Sequence, residues 1–117
     1  MGINSTEVSY GFGQLGSTLT AASQDAIKPP TNKVFVAITM LQDTVFDSSG
    51  GLIAEDENKY ISTEHQANDL ADGSETTDEG SGGRPADSIT FSKGVTIYGR
   101  WTEIDVNSGT VLAYIGD

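Results

Sequence analysis

Cysteine is absent from this chain of 117 residues, which excludes disulfide bonds, thiolate metal sites and a cysteine nucleophile. Basic residues are scarce, because six Lys and Arg stand against 17 Asp and Glu and give a formal net charge of −11. A surface of this charge repels nucleic acid and anionic membranes, so we expect neither as a partner. His65 is the single histidine. The sequence therefore predicts no metal site, no cofactor and no catalytic centre.

Long apolar runs are also missing, and the apolar residues recur mostly at the spacing of two that is typical of β-strands. Residues 33–41 (KVFVAITML) predict a strand covered on both sides, with Val34, Val36, Ile38 and Met40 on one face and Phe35, Ala37 and Leu41 on the other. Shorter strand candidates are residues 17–21, 44–46, 52–54, 59–63 and 88–92. The turn signal DSSGG at 47–51 predicts that 44–46 folds back against 52–54.

Residues 94–116 hold the only Trp and are the stretch richest in residues that favour β-strands. This pattern is interrupted at Asn107, Ser108 and Gly109. A three-residue loop closed by a glycine at positive φ predicts a C-terminal β-hairpin here. In that register Ile104 pairs with Leu112, and Trp101 pairs with Ile115. Side-chain alternation then places Trp101, Val111, Ala113 and Ile115 on one face and Ile104, Leu112 and Tyr114 on the other.

Two low-complexity segments flank this pattern. Residues 1–24 form a nearly uncharged N-terminal arm, which the Lys28-Pro29-Pro30 boundary separates from a β-domain over 25–117. Residues 64–87 hold seven acids and no aromatic residue, so they predict a long exposed acidic loop. The expected fold is all-β: a single-domain antiparallel β-sandwich or small barrel with a C-terminal hairpin.

Four patterns in the sequence could indicate a functional site, but each also has a structural explanation. The sequence GFGQLG at 11–16 satisfies the dinucleotide-binding spacing, but no strong strand precedes it and no βαβ unit follows. Asp105 to Gly109 supplies only part of a calcium loop, and a close pair of carboxylates is expected by chance among so many acids. Trp101 and Tyr98 could form an aromatic platform for a sugar, unless Trp101 belongs to the core.

One stretch resembles a known group of proteins. The segments 96–102 (TIYGRWT) and 112–116 (LAYIG) are similar to the C-termini of small virion structural proteins of marine tailed phages, including knob-like capsid decorations. The resemblance covers about a fifth of the chain. It implies a non-catalytic protein on the capsid exterior of the virion, in repeated copies, with the major capsid protein or another virion protein as partner.

The sequence leaves rival functions from other classes open. One is a carbohydrate-binding module, and another is an acidic inhibitor that mimics nucleic acid. For the decoration role we predict a homo-oligomer and a set of partner-binding residues from the arm and the C-terminal stretch. These residues are Ile3, Val8, Tyr10, Phe12, Tyr98, Arg100 and Tyr114.

Overall fold

The computed structural model describes residues 14–57, 59–64 and 84–117, which form seven strands and no helix. The strands are β1 (Ser17–Ala21), β2 (Val34–Met40), β3 (Val45–Phe46), β4 (Leu52–Ala54), β5 (Thr96–Ile104), β6 (Val106–Ser108) and β7 (Thr110–Gly116). The all-β prediction is confirmed. Most of the acidic loop predicted at 64–87 lies outside the described residues.

The strands form two antiparallel sheets. Five of them lie in the order β1-β7-β2-β5-β4, and β3 pairs with β6 in a separate sheet of two strands. The large sheet is open, so of the two predicted architectures the closed barrel is wrong. Strand β2 lies at its centre and is hydrogen-bonded to β7 on one side and to β5 on the other. The predicted strand is confirmed, and its residues Val34, Phe35, Ala37, Ile38 and Met40 are all buried.

A β-bulge at Val36 changes which side chains of β2 share a face. The register shifts between Phe35 and Ala37 against both neighbouring strands. A bulge inserts one residue and reverses the alternation beyond it. Phe35 therefore joins Ile38 and Met40 in one core cluster, whereas unbroken alternation had assigned it to the opposite face.

The predicted C-terminal hairpin is wrong, because β2 lies between its two arms. Ile104 pairs with Leu52 and not with Leu112, and Leu112 pairs with Leu19 and Thr39. Gly109 does take the predicted positive φ, at 98°. The turn therefore exists, but it connects β7 to the short strand β6, which pairs with β3 in the other sheet.

Three shorter predictions also need correction. Strands β3 and β4 flank the predicted turn at 47–51 but belong to different sheets. Residues 59–63 are not a strand; Ser62 and Thr63 are buried beside β4, where Thr63 N donates to Leu52 O at 2.9 Å. Residues 88–92 contribute only an isolated bridge between Phe91 and Thr44. Local alternation identifies extended segments, whereas pairing depends on contacts distant in sequence.

The core lies between the inner face of the large sheet, the small sheet and the segments around Tyr60 and Phe91. Trp101 is fully buried in it and donates its indole N–H to the carbonyl of Ile61 at 2.8 Å. The ring lies over Gly99, where a Cβ atom would stand 2.8 Å from it. Phe46 meets Phe91 edge to face with ring centroids 5.5 Å apart, a favoured aromatic geometry.

The folded part of the chain begins before the predicted boundary at Lys28. The weak alternation at 17–21 does form β1, which is an edge strand of the large sheet. Ile27 also exchanges backbone hydrogen bonds with Ile104, at 2.8 and 3.0 Å. The segment assigned to the arm, 1–24, thus contains one strand of the sheet.

Gly109 and Gly94 offer a matched test of the β6–β7 turn, because both have positive φ, at 98° and 91°. A Cβ at Gly109 would collide with Asp43 O and Thr44 Oγ1, whereas a Cβ at Gly94 meets nothing within 4 Å. Gly94→Val should cost about 1 kcal/mol of unfolding free energy through backbone strain alone. Gly109→Val should cost clearly more in chemical denaturation. Equal costs would contradict the close packing of this turn.

Candidate interaction surface

The large sheet has a buried inner face and an outer face that no described segment fully covers. The cross-strand register defines two rows of side chains on the outer face. The first row is Leu19, Leu112, Thr39 and Thr96, and the second is Ser17, Tyr114, Ala37 and Tyr98. We call these eight residues the outer face. It spans the four strands β1, β7, β2 and β5.

The outer face contains no charged residue, although the chain as a whole carries a formal charge of −11. Leu19 is 61% exposed and Tyr98 is 66% exposed. Between them, the hydroxyls of Thr39 and Thr96 are hydrogen-bonded to each other at 2.8 Å. The surface is therefore apolar and aromatic, with its central hydroxyls already paired.

The two tyrosines of the outer face flank one small residue. Tyr98 and Tyr114 both lie opposite Ala37, on either side of β2. Two strand spacings place their Cα atoms roughly 10 Å apart. Ala37 is only 1% exposed. The sheet thus presents aromatic side chains around a covered alanine, which gives a broad surface and no deep slot.

Arg100 follows Tyr98 by two residues on β5 and is held by two partners. Its Nε and Nη2 donate to the Glu55 carboxylate at 2.6 and 3.2 Å, and its Nη1 donates to the backbone carbonyl of Asp117 at 2.8 Å. The hydrogen bond from Arg100 lowers the pKa of Glu55 below its ordinary value. The charge of Arg100 is thereby neutralised at the border of the outer face.

The predicted partner-binding residues divide into two groups. Tyr98, Arg100 and Tyr114 are brought together on one side of the sheet, although β2 separates the strands that carry them. Ile3, Val8, Tyr10 and Phe12 lie outside the described residues. Sequence reasoning missed Leu19, Thr39 and Thr96, because the bulge at Val36 and the pairing of β1 with β7 are not visible as local patterns.

Trp101 is not part of any exposed platform. It is fully buried and its only polar group is hydrogen-bonded to Ile61. The proposed pairing of Trp101 with Tyr98 around a sugar is therefore wrong. Strand alternation explains the result, since the two residues are separated by three positions and face opposite sides of β5.

A second feature is a polar cavity of about 430 Å³ at the small sheet, lined by Val45, Phe46, Asp47, Ser48, Ser49, Ser88 and Asn107. Beside it, Asp47 N donates to Asp105 O at 3.0 Å. Burial and a side-chain hydrogen bond to Asp47 raise the pKa of the Asp105 carboxyl above its ordinary value. Within the described ranges no group of three or more His, Asp or Glu could hold a metal ion.

In comparisons with known proteins, no family model, no curated protein and no solved structure matches the chain. In the described part of the chain, no helix is long and apolar enough to span a membrane.

Asp105→Asn should stabilise the protein at neutral pH. A raised carboxyl pKa means that the folded state binds protons more tightly than the unfolded state, so stability falls as the pH rises through the raised value. Asparagine carries no charge and can still donate to Asp47. We expect the melting temperature to rise by a few degrees at pH 7, and the gain to vanish near about pH 3, where carboxyls are protonated in both states.

The double variant Asp47→Asn/Asp105→Asn controls for unrelated effects of the substitution. Asp47 is the side-chain hydrogen-bond partner of Asp105, so the two substitutions act on one interaction. The double variant should therefore gain less than the sum of the gains of the two single variants. A gain at pH 7 that persists unchanged at about pH 3 would contradict the assignment.

Proposed function

We propose that the protein is a non-catalytic virion structural protein that decorates the capsid exterior of a tailed phage. The observation that carries the proposal is the outer face, an uncharged apolar and aromatic surface on an otherwise strongly acidic chain. Exposed apolar patches of this kind mark interaction sites. The resemblance of 96–102 and 112–116 to small virion proteins falls on the strands that supply Tyr98 and Tyr114.

The charge distribution supports a docking role for the outer face. Salt strongly weakens binding that depends on exposed charges. A contact through Leu112, Tyr114 and Tyr98 would instead depend on buried apolar area, at roughly 25 cal/mol per Å² removed from water. We therefore expect attachment to the major capsid protein, or to another virion protein, that resists high salt.

The acidic remainder of the surface fits the exterior side of such a protein. The seven acids of residues 64–87 belong to one segment, and its described ends are anchored to the body. Gly50 N donates to the Glu64 carboxylate at 2.7 Å, and Ala86 N donates to Ser62 O at 2.9 Å. A coat of proteins with this net charge would make the particles repel one another in solution.

Binding to purified particles of the encoding phage tests the proposal. Tyr98→Asp places a charge in the outer face, whereas Thr90→Asp adds the same charge at an exposed position outside both sheets. Co-sedimentation with particles stripped of the native protein should weaken at least about tenfold for Tyr98→Asp and remain unchanged for Thr90→Asp. Both variants should keep the wild-type melting temperature within a few degrees.

Two results would contradict the decoration role. One is the absence of the chain from purified virions by mass spectrometry, where decoration predicts many copies per particle. The other is equal loss of binding in Tyr98→Asp and Thr90→Asp, which would point to general charge repulsion and not to the outer face.

A carbohydrate-binding module is the second candidate, favoured by the 66% exposure of Tyr98 beside the threonine hydroxyls. Aromatic faces stack on sugar rings. A glycan array separates the two functions. Binding that is lost in Tyr98→Ala and retained in Tyr98→Phe would support the sugar-binding function, whereas decoration predicts no glycan selectivity.

A further inference from the structure

Strand β1 is the edge of the large sheet, and its outward hydrogen-bonding groups can be identified from its pairing with β7. Ile115 N donates to Gly16 O at 2.9 Å, and Ala22 N donates to Gly109 O at 3.1 Å. Antiparallel pairing alternates, so the even-numbered residues of β1 bond to β7. Ser17, Leu19 and Ala21 therefore direct their backbone N–H and C=O groups away from β7, although the carbonyl of Ala21 already accepts from Gln24 N at 3.3 Å in the following turn. No described residue pairs with β1 on that side.

The two edges of the sheet differ in how they are protected. Edge strand β4 has three residues, a register shift at Ile53, and the acidic sequence Glu55-Asp56-Glu57 directly after it. These features prevent edge-to-edge pairing in natural sheets. Strand β1 has five residues in regular register, and residues 14–24 around it contain no charge and no proline.

We propose that β1 pairs with β1 of a second copy of this chain, antiparallel about a twofold axis at Leu19. The register follows from the outward groups. Leu19 exchanges two hydrogen bonds with Leu19 of the second copy, and on each side Ala21 N donates to Ser17 O of the other copy, which gives about four bonds in total. The two five-stranded sheets then form one continuous sheet.

The side chains favour this twofold arrangement. Leu19 lies in the outer-face row beside Leu112, and it is 61% exposed in the single chain. Across the axis the two Leu19 side chains would be neighbours, with Cα atoms roughly 5.5 Å apart. Four leucines, two from each copy, would then form one apolar row. On the inner face, Thr18 of each copy would lie opposite Thr20 of the other.

The distribution of charge favours a second copy of the chain at the β1 edge of the sheet. Two bodies of net charge −11 repel each other at most orientations. The stretch 14–24 carries no charge, so two copies that meet there bring no charged side chains of this segment together. Five residues on each side make a small interface, so the free protein should form a weak dimer that concentration drives.

Proline at position 19 tests the pairing directly. Leu19→Pro removes an outward N–H and leaves every bond from β1 to β7 intact, a position that edge strands tolerate. Thr18→Pro is the matched control, since it removes an N–H that bonds to β7. By sedimentation equilibrium of the full chain, wild type should dimerise with increasing concentration. Leu19→Pro should weaken the dimer at least about tenfold without lowering the melting temperature as far as Thr18→Pro does.

A charge pair at the axis tests the self-pairing of Leu19. Leu19→Lys and Leu19→Glu each place like charges next to each other in a homodimer, which destabilises a directly opposed pair. A mixture of the two variants places opposite charges there. Each variant alone should therefore be monomeric, and the mixture should form a heterodimer. Disulfide exchange is not a complication, because the chain has no cysteine.

Three results would overturn the proposal. The first is a wild-type chain that remains monomeric up to about 1 mM, which would place any dimer dissociation constant above that concentration. The second is a dimer whose affinity is unchanged by Leu19→Pro. The third is a dimer that is lost on deletion of residues 1–13 and unaffected by the Leu19 variants. All are measured on the free protein, so they are independent of particle binding.

Discussion

Strand β2 depends on two hydrogen-bonded neighbours, and the rest of the fold depends on β2. Because it pairs with β7 on one side and β5 on the other, the two aromatic strands of the C-terminal stretch cannot pair with each other. The chain must therefore leave β5 at Asp105, pass through β6 and re-enter the large sheet as β7. The second sheet exists because this detour supplies β6 as a partner for β3.

The bulge at Val36 determines what each face of the sheet presents. It places Phe35 with Ile38 and Met40 in the core, where Trp101 and Ile104 complete the cluster. Beyond the bulge Ala37 and Thr39 turn outward, and both are small enough to leave Tyr98 and Tyr114 as the dominant side chains of the outer face. The bulge that completes the core therefore also determines which side chains form the outer face.

The sequence predicts which segments are strands better than it predicts which strands pair with each other. Val, Ile, Thr and aromatic residues at alternate positions identify β1, β2, β5 and β7, and Gly109 marks a turn at positive φ. Asn107 and Ser108 were predicted as loop but lie in β6. The hairpin assignment was wrong because a compatible turn fixes only a local reversal, whereas β2 pairs with strands that lie 57 or more residues away along the chain. The candidate surface was only partly predicted for the same reason. Tyr98 and Tyr114 came from the C-terminal pattern, but Leu19 joins them only through the pairing of β1 with β7.

Tyrosine footprinting measures most directly whether the outer face is the surface that docks. Tyr98 is 66% exposed in the single chain, whereas Tyr60 is partly buried against the core on the other side of the sheet and serves as an internal control. Hydroxyl-radical labelling should modify Tyr98 readily in the free protein. On intact particles the account predicts that Tyr98 is protected at least about tenfold while Tyr60 is unchanged, as a buried interface core requires. Equal labelling of Tyr98 in free and particle-bound protein would contradict it.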